Sequence, residues 1–417
     1  MNDKTLLVIG GGAAGFFCAV NAARIHKNLQ VVLIEKSSHL LSKVKVSGGG
    51  RCNVTHACFE ISNLVKFYPR GASFLKKAFH QFYTKDTVEW FQDRNIQLKT
   101  EDDGRIFPES NSSQSIINCL LNEANQYGID IRMNADVVSV EYNDSAENNQ
   151  ARFQVTLRNQ KKISAHYLCI ASGGFPKKSQ YEWIEKLKHS IEHPVPSLFT
   201  FNIPNNKITS LMGIVVQHAN VKIIGSKLQQ SGPVLITHWG LSGPAVLKLS
   251  SWGARELADC NYEFDVAVNW LPDFNEHTLK EKFQLLRFEI ASQKIYNRNP
   301  FGLPARLWEY LLMLSEIKEE IRWADLPAKE QNKLIKFLSA HSFSIKGKTT
   351  FKEEFVTAGG VHLTEINPNT MMSRLTPGLF FAGEILNIDG VTGGFNFQNA
   401  WTTGWIAAKN VTTYFVD

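Results

Sequence analysis

Apolar positions along the chain fall into blocks whose spacing changes three times. Thr5-Leu6-Leu7-Val8-Ile9 is a short, nearly uninterrupted apolar run, the pattern of a strand buried on both faces. Ala13 to Arg24 is rich in small and apolar residues and predicts a helix, and Gln30 to Ile34 returns to strand, ending at Glu35. Residues 71–127 carry mainly helical spacing, broken at Asp102-Asp103-Gly104-Arg105 and at Pro108. Strands are then expected over Asp130–Asn134, Val137–Tyr142, Arg152–Leu157 and Tyr167–Ala171, with a polar turn at Asn143–Gln150. Past Pro194-Val195-Pro196 come the short runs Leu198–Ile203, Ile214–His218, Val221–Ile224 and Val234–Ile236, which predict a small barrel or sandwich. A helix opening at Pro244 and a charged helical stretch over residues 277–340 follow. The last 70 residues are again strands and glycine turns leading into a terminal helix.

The first block carries the clearest chemistry. Gly10, Gly12 and Gly15 stand between strand and helix in the spacing G-x-G-x-x-G, with an acid, Glu35, 20 residues past the last glycine. Strand, turn, helix, strand and acid together are the grammar of a dinucleotide-binding half. Gly10 allows the tight turn, Gly12 lets backbone N–H groups approach a pyrophosphate, Gly15 lets the helix lie close on the strand, and Glu35 would accept hydrogen bonds from the adenosine ribose. Lys4 followed by an apolar run imitates a secretory signal, but the glycine spacing and the matching second strand account for it better.

Three further glycine clusters extend the site. Ser47-Gly48-Gly49-Gly50-Arg51-Cys52-Asn53 reads as a loop whose backbone can press on a flat or anionic ligand. Ala171-Ser172-Gly173-Gly174 closes a strand where the chain would pass the dinucleotide. Gly378 to Glu384, then Gly390, Gly393 and Gly394 before Phe395-Asn396-Phe397, form a strand ending in Ala-Gly-acid and a glycine loop at a helix N-terminus, a place for ribityl and phosphate groups. A second glycine fingerprint for a separate nicotinamide domain is not visible. One ligand touching both ends of the chain is therefore expected to be FAD rather than NAD.

Composition narrows the class. The 417 residues are 43% hydrophobic and 20% charged, a globular balance with room for two or three domains, and no apolar run is long enough to span a bilayer. Six cysteines without a C-x-x-C pair point to a reducing, cytoplasmic setting with neither disulfide framework nor zinc site, and no metal-ligating spacing occurs. Cys52 and Cys58 are spaced wrongly for a redox disulfide, which leaves Cys52 as a candidate proton donor. His238, in the Gly- and Ser-dense turn Thr237–Pro244, is a second candidate acid or base. The net charge of +6 is concentrated: residues 36–85 hold nine Lys or Arg and one acid, Glu60, interleaved with Phe67, Tyr68, Phe74, Phe79, Phe82 and Tyr83. This is either a solvated face over an aromatic core or a patch for phosphates of a cofactor or nucleic acid.

These motifs in this order resemble the BaiN/RdsA family of bacterial NAD(P)/FAD-dependent oxidoreductases, which also includes aminoacetone oxidases. The resemblance rests on Gly10 to Gly15, Ser47 to Asn53, Gly104-Arg105-Ile106-Phe107-Pro108, Thr237 to Pro244, Thr357-Ala358-Gly359-Gly360-Val361 and Gly378 to Gly404, and spans nearly the whole chain. It implies an α/β fold: a discontinuous Rossmann-like, glutathione-reductase-like FAD-binding domain over residues 1–195 and 346–417, interrupted at 196–345 by a β-barrel and helical-bundle domain on the substrate side. It also implies site residues. Gly10, Gly12, Ala14 and Gly15 would hold the pyrophosphate, and Glu35 and Lys36 the adenosine side, with Val137 offering a backbone contact to adenine. Lys43, Gly49, Gly50, Arg51 and Asn53 would lie along the flavin or its ribityl chain, with Gly173, Gly383, Glu384, Gly394, Phe395 and Asn396 completing the site. Two departures stand out: Asn387 replaces the family's usual Asp, and Phe175-Pro176-Lys177-Lys178 replaces a longer Ser-Tyr-Pro and glycine segment.

The activity implied is hydride transfer through flavin N5, with NAD(P)H as electron donor and Cys52 or His238 supplying the proton. Family members act on unsaturated steroid-like molecules, on amino-ketones, or on a uridine of 23S ribosomal RNA that becomes dihydrouridine. The basic segment 36–85 favours the RNA; the opposing classes are a small-molecule flavin enzyme and a non-catalytic FAD-binding protein.

Overall fold

The computed structural model describes residues 4–146, 150–350 and 356–412, so part of the turn expected at Asn143–Gln150 lies outside the described residues. Contacts divide the chain into two units, one formed by the described residues up to Ser197 and from Val356 onward, the other by Leu198–Thr350.

In the first unit β1 (Thr5–Ile9), β2 (Gln30–Ile34), β3 (Asp130–Arg132), β4 (Tyr167–Ile170) and β5 (Leu379–Phe381) form a parallel sheet in the order β5-β4-β1-β2-β3. All four junctions are parallel, with Val8 opposite Leu33 on one side and Cys169 on the other. The apolar runs are continuous because both sheet faces are covered: Leu6, Leu7, Val8, Leu33, Leu168 and Phe380 are fully buried. Helix α1 (Ala13–Ile25) returns from β1 to β2. Helix α2 (Ala72–Phe79) packs against α3 (Phe395–Asn410), which runs along α1. That last contact is backbone-close, since a Cβ on Gly404 would stand 2.7 Å from the Ala14 carbonyl oxygen. β1 has β2 on one side and β4 on the other, so the connections leave in opposite directions and open a crevice at the strands' carboxyl ends.

The expected helical region 71–127 divides into α2 and helices Thr84–Gln92 and Ser113–Gln126, between which Leu98–Thr100 and Arg105–Pro108 pair as an antiparallel hairpin. The Asp102–Arg105 break is that hairpin's turn. The Gly48–Gly50 triplet ends a short helix, Ser42–Gly50, within which Ser47, Gly48 and Gly49 abandon helical geometry, the two glycines at φ +59° and +68°.

The second unit carries a seven-stranded antiparallel sheet whose edge strands are His341–Lys346 and Lys348–Thr349. Only Gly347 separates these two edges. Its N–H donates to Tyr262 O (2.9 Å) and its carbonyl accepts from Asn202 N (3.2 Å), so the sheet closes on itself as a barrel. The two strands expected at 214–218 and 221–224 are one, Val215–Ile223, with a register shift between Val216 and Ala219. Helices Glu276–Glu289, Ala305–Leu314 and Ala328–Ala340 form the bundle, which shares one core with the barrel around Trp270, Phe283, Trp308, Trp323 and Leu338.

Candidate functional site

The crevice begins at the β1–α1 turn. A Cβ on Gly10, at φ +117°, would sit 2.3 Å from Ala171 O, and one on Gly15 would sit 1.9 Å from Gly10 O, so hydrogen alone fits at both. Gly12 is different: a Cβ there meets nothing within 4 Å, and no side chain caps the helix it begins. The first N–H groups of α1 thus face open space, with the positive end of the helix behind them. The Glu35 carboxylate is held at the same turn, Oε2 accepting from Gly11 N (2.8 Å) and Oε1 from Ser37 N (2.9 Å). Beside it, Ala135 N donates to Glu35 O (2.8 Å), which brings the strand starting at Val137 to the same end of the crevice. Lys36 is exposed, its ammonium 5.5 Å over the Phe175 ring.

Glu384 is where the later segments meet. Its Oε2 takes the Lys43 ammonium at 2.7 Å and its Oε1 the Thr357 N–H at 2.9 Å. Gly174 packs so tightly here that a Cβ would lie 2.5 Å from Thr357 Oγ1 and 2.9 Å from Glu384 Oε1. Gly383 turns the chain at φ +78° and donates to Thr403 Oγ1 (2.8 Å). Thr357 was legible only as part of a glycine turn. Ser172 Oγ and Thr357 Oγ1 are buried with no hydrogen-bond partner, and Gly49, Gly50 and Gly173 would carry a Cβ into open space. Open glycine faces, waiting polar atoms and a fixed carboxylate at the ribose end fit a dinucleotide, with Gly12 and the start of α1 at its pyrophosphate.

A third cluster surrounds the start of α3. Gly394, at φ +94°, sits with its Cβ position 2.6 Å from the Thr55 backbone. Oriented with its nitrogen toward Thr55 O (2.9 Å) and its oxygen toward Gly394 N (3.0 Å), the Asn53 amide satisfies both groups. Asn396 clamps the glycine loop through paired bonds to Gly390 N and O, both 2.8 Å. Phe395 is buried and stacks on Phe67 at 4.4 Å. His56, which the sequence did not single out, bonds Gly393 O through Nδ1 (3.1 Å) and lies 4.7 Å from the Phe395 ring. Arg51 is committed within this region: it pairs with Glu101 (2.5 Å) and stacks 4.0 Å over Phe107. Asn387 buries its Oδ1 without a partner.

Cys52 does not fit its expected role. It is fully buried at φ +64°, and burial pushes its thiol up to about 12. A side chain with no accessible surface meets neither ligand nor substrate, so the proton-donor assignment is withdrawn. His238 is exposed in the second unit, on the turn between strands Gln229–Ile236 and Gly240–Ser242, its ring edge-on to Trp239 at 4.2 Å. The basic segment is also revised. Tyr68, Phe74, Phe79 and Phe82 are core residues and cannot stack on bases, while Lys43, Arg51, Arg70 and Lys85 each pair with a carboxylate. Among the described residues no three His, Cys, Asp or Glu side chains converge as a metal site, and no helix is long and apolar enough to cross a membrane.

Comparison with known proteins places this architecture. The chain is similar to the 3-dehydro-bile acid delta(4,6)-reductase of Clostridium scindens, 26% identical over 96% of this chain and 97% of the relative. It is also similar to the ribosomal RNA dihydrouridine synthase of Escherichia coli, 29% identical over 97% of each. Among solved structures, the 3-ketosteroid-delta4-(5alpha)-dehydrogenase of Rhodococcus jostii RHA1 shares the fold at 13% identity and a TM-score of 0.50, over 98% of both chains. The family model described as HI0933-like protein Rossmann domain matches residues 4–410. With the sheet order, the glycine crevice and a match running almost end to end, this chain belongs to the HI0933-like Rossmann family and is an FAD-dependent oxidoreductase.

Proposed function

We propose that this protein reduces a carbon–carbon double bond conjugated to a carbonyl, with a uridine of 23S ribosomal RNA as its substrate and NAD(P)H as its electron donor. The observation that carries the reaction class is that two relatives matched over almost their whole length bear names of such reductions, one on a bile acid and one on ribosomal uridine. Support for RNA is the second dihydrouridine synthase relative, from Haemophilus influenzae, 27% identical over 97% of this chain. Bound FAD supplies the hydride through N5. The chain supplies the setting: Gly12 and the start of α1 receive the pyrophosphate, Glu35 the ribose, and the Lys43–Glu384 pair with Asn53, Gly394 and Asn396 the flavin end. Of the two proton-donor candidates read from the sequence, His238 is the one whose imidazole is exposed.

A small enone is the second reading, favoured by the burial of Tyr68, Phe74, Phe79 and Phe82, four of the six rings that base stacking would draw on. Mass spectrometry of nucleosides from 23S ribosomal RNA decides between them, comparing wild-type, deletion and complemented cells. Dihydrouridine lost on deletion and restored by the gene is the expected result. An unchanged level overturns the RNA substrate and leaves the small enone.

A further inference from the structure

The geometry points to the outward face of α2 as a docking face for the RNA phosphate backbone, an inference that rests on the RNA reading above. Phe74, Leu75, Ala78 and Phe79 turn inward and are buried. Helical spacing therefore sets Ser73, Lys76, Lys77 and His80 on the opposite side, and all four are exposed. Lys66, shortly before the helix, is exposed as well, its ammonium bonded to Asn63 Oδ1 (2.9 Å). No carboxylate occurs in the sequence from Ile61 to Lys85, and Lys76 and Lys77 have no carboxylate partner among the described residues. With Lys43, Arg51, Arg70 and Lys85 paired with carboxylates, five cations of the basic segment are left, Lys36, Lys45, Lys66, Lys76 and Lys77, and of these Lys76 and Lys77 stand side by side on this helix face.

A charged helix face is ordinarily just solvated, and the mounting of this one sets it apart. Arg70, just before α2, grips the fully buried Asp389 with two guanidinium nitrogens, and Ser197 Oγ donates to the same carboxylate (2.8 Å). Val391 N donates to Phe67 O (2.9 Å) and Tyr68 Oη to Phe395 O (2.8 Å). Gly71 lies against Ile388 so closely that a Cβ would stand 2.5 Å from it. The cationic face is thus fixed to the loop Ile388–Asn396, the loop assigned to the flavin end of the site. Phosphate contacts position a nucleic acid while another site reads the base. A rigid cationic face joined to the reacting end does that for a uridine delivered there.

The test uses the FAD-loaded enzyme and deproteinised ribosomal RNA from the deletion strain, with filter binding measured across potassium chloride concentrations. Lys76→Gln/Lys77→Gln should flatten the dependence of log affinity on log salt by about 1.4 to 1.8, as loss of two phosphate contacts requires, and weaken binding roughly tenfold near 0.1 M salt. Lys76→Glu/Lys77→Glu should weaken it further. Lys161→Gln/Lys162→Gln, exposed where the strand Lys162–Ala165 begins, should bind like wild type, and the FAD absorbance of all variants should match. A wild-type slope in the Gln pair overturns the docking face. So does loss of FAD from both Lys76/Lys77 pairs, which would make the lysines part of the cofactor fold. A wild-type slope with weakened binding to phosphatidylglycerol vesicles would give the face to a lipid surface instead. Failure of the RNA reading is seen separately, as wild-type enzyme that restores no dihydrouridine in the deletion strain.

Discussion

Glu35 does two jobs with one carboxylate. Each oxygen already accepts a backbone N–H, from Gly11 or Ser37, so the group is oriented before any ribose arrives and keeps lone pairs for its hydroxyls. Glu35→Ala should weaken FAD binding at least about tenfold, or about 1.4 kcal/mol, whereas Glu35→Gln, which keeps one acceptor, should lose less; titrating apoprotein with FAD measures both. The buried Cys52 predicts the opposite behaviour. Cys52→Ala should lower the melting temperature and leave the rate of flavin reoxidation by substrate unchanged, while His238→Gln should slow that reoxidation and spare flavin reduction, as stopped-flow absorbance would resolve. Native protein should also protect Cys52 from thiol reagents that modify the exposed Cys260. Glu35 was legible in the sequence because a strand-turn-helix-strand unit places its acid by local rules. His56 was not, because its partner Gly393 lies 337 residues along the chain and only tertiary folding brings them together, and Thr357 was not, because no strand-turn-helix rule ties it to Glu384. Cys52 misled because its neighbours looked like a ligand loop, while its own left-handed backbone turns the thiol into the core.

The barrel is closed at a single residue. Gly347 sits at φ +86° with room for a methyl group, the nearest atom to a Cβ being Asn202 Nδ2 at 3.9 Å, so the cost of Gly347→Ala should be backbone strain alone, about 1–2 kcal/mol in urea unfolding. His341, which opens the neighbouring edge strand, makes the same element sensitive to acid. It is buried against Phe337 and Phe343 and accepts the Trp270 indole N–H at Nδ1 (3.4 Å), a bond the protonated ring cannot accept. Burial lowers its pKa to about 4. The unfolded chain takes up this proton near pH 6.5 and the folded chain does not, so stability should fall as pH drops through that window, by about 3 kcal/mol in all. His341→Gln should remove that part of the loss when urea midpoints at pH 7 and pH 4.5 are compared. Periodicity revealed the strands of the parallel sheet nearly to their ends, because burial on both faces leaves apolar runs little ambiguity. It split Val215–Ile223 in two, because a bulge interrupts alternation without ending a strand. It could not show the closure, which depends on what Gly347 bonds on each side.

For the whole molecule, the two units differ in how the chain supplies them. Leu198–Thr350 is continuous, has its own core and leaves no open sheet edge at Gly347, so this segment expressed alone should melt cooperatively with a mixed helix and sheet circular dichroism spectrum. Residues 1–197 alone should aggregate, because they lack β5, which borders β4, and α3, which covers α1. The same discontinuity has a consequence during synthesis. Roughly 200 residues separate β4 from β5, or about 10–40 s of translation, during which the edge of β4 waits for its partner while the inserted segment folds. The Ala-Gly-Glu turn and the glycine loop that complete the crevice are made after the whole inserted segment. A product truncated by a stalled ribosome before Glu384 therefore holds the pyrophosphate turn with only Lys43 and Asn53 of the flavin end, and should not retain FAD.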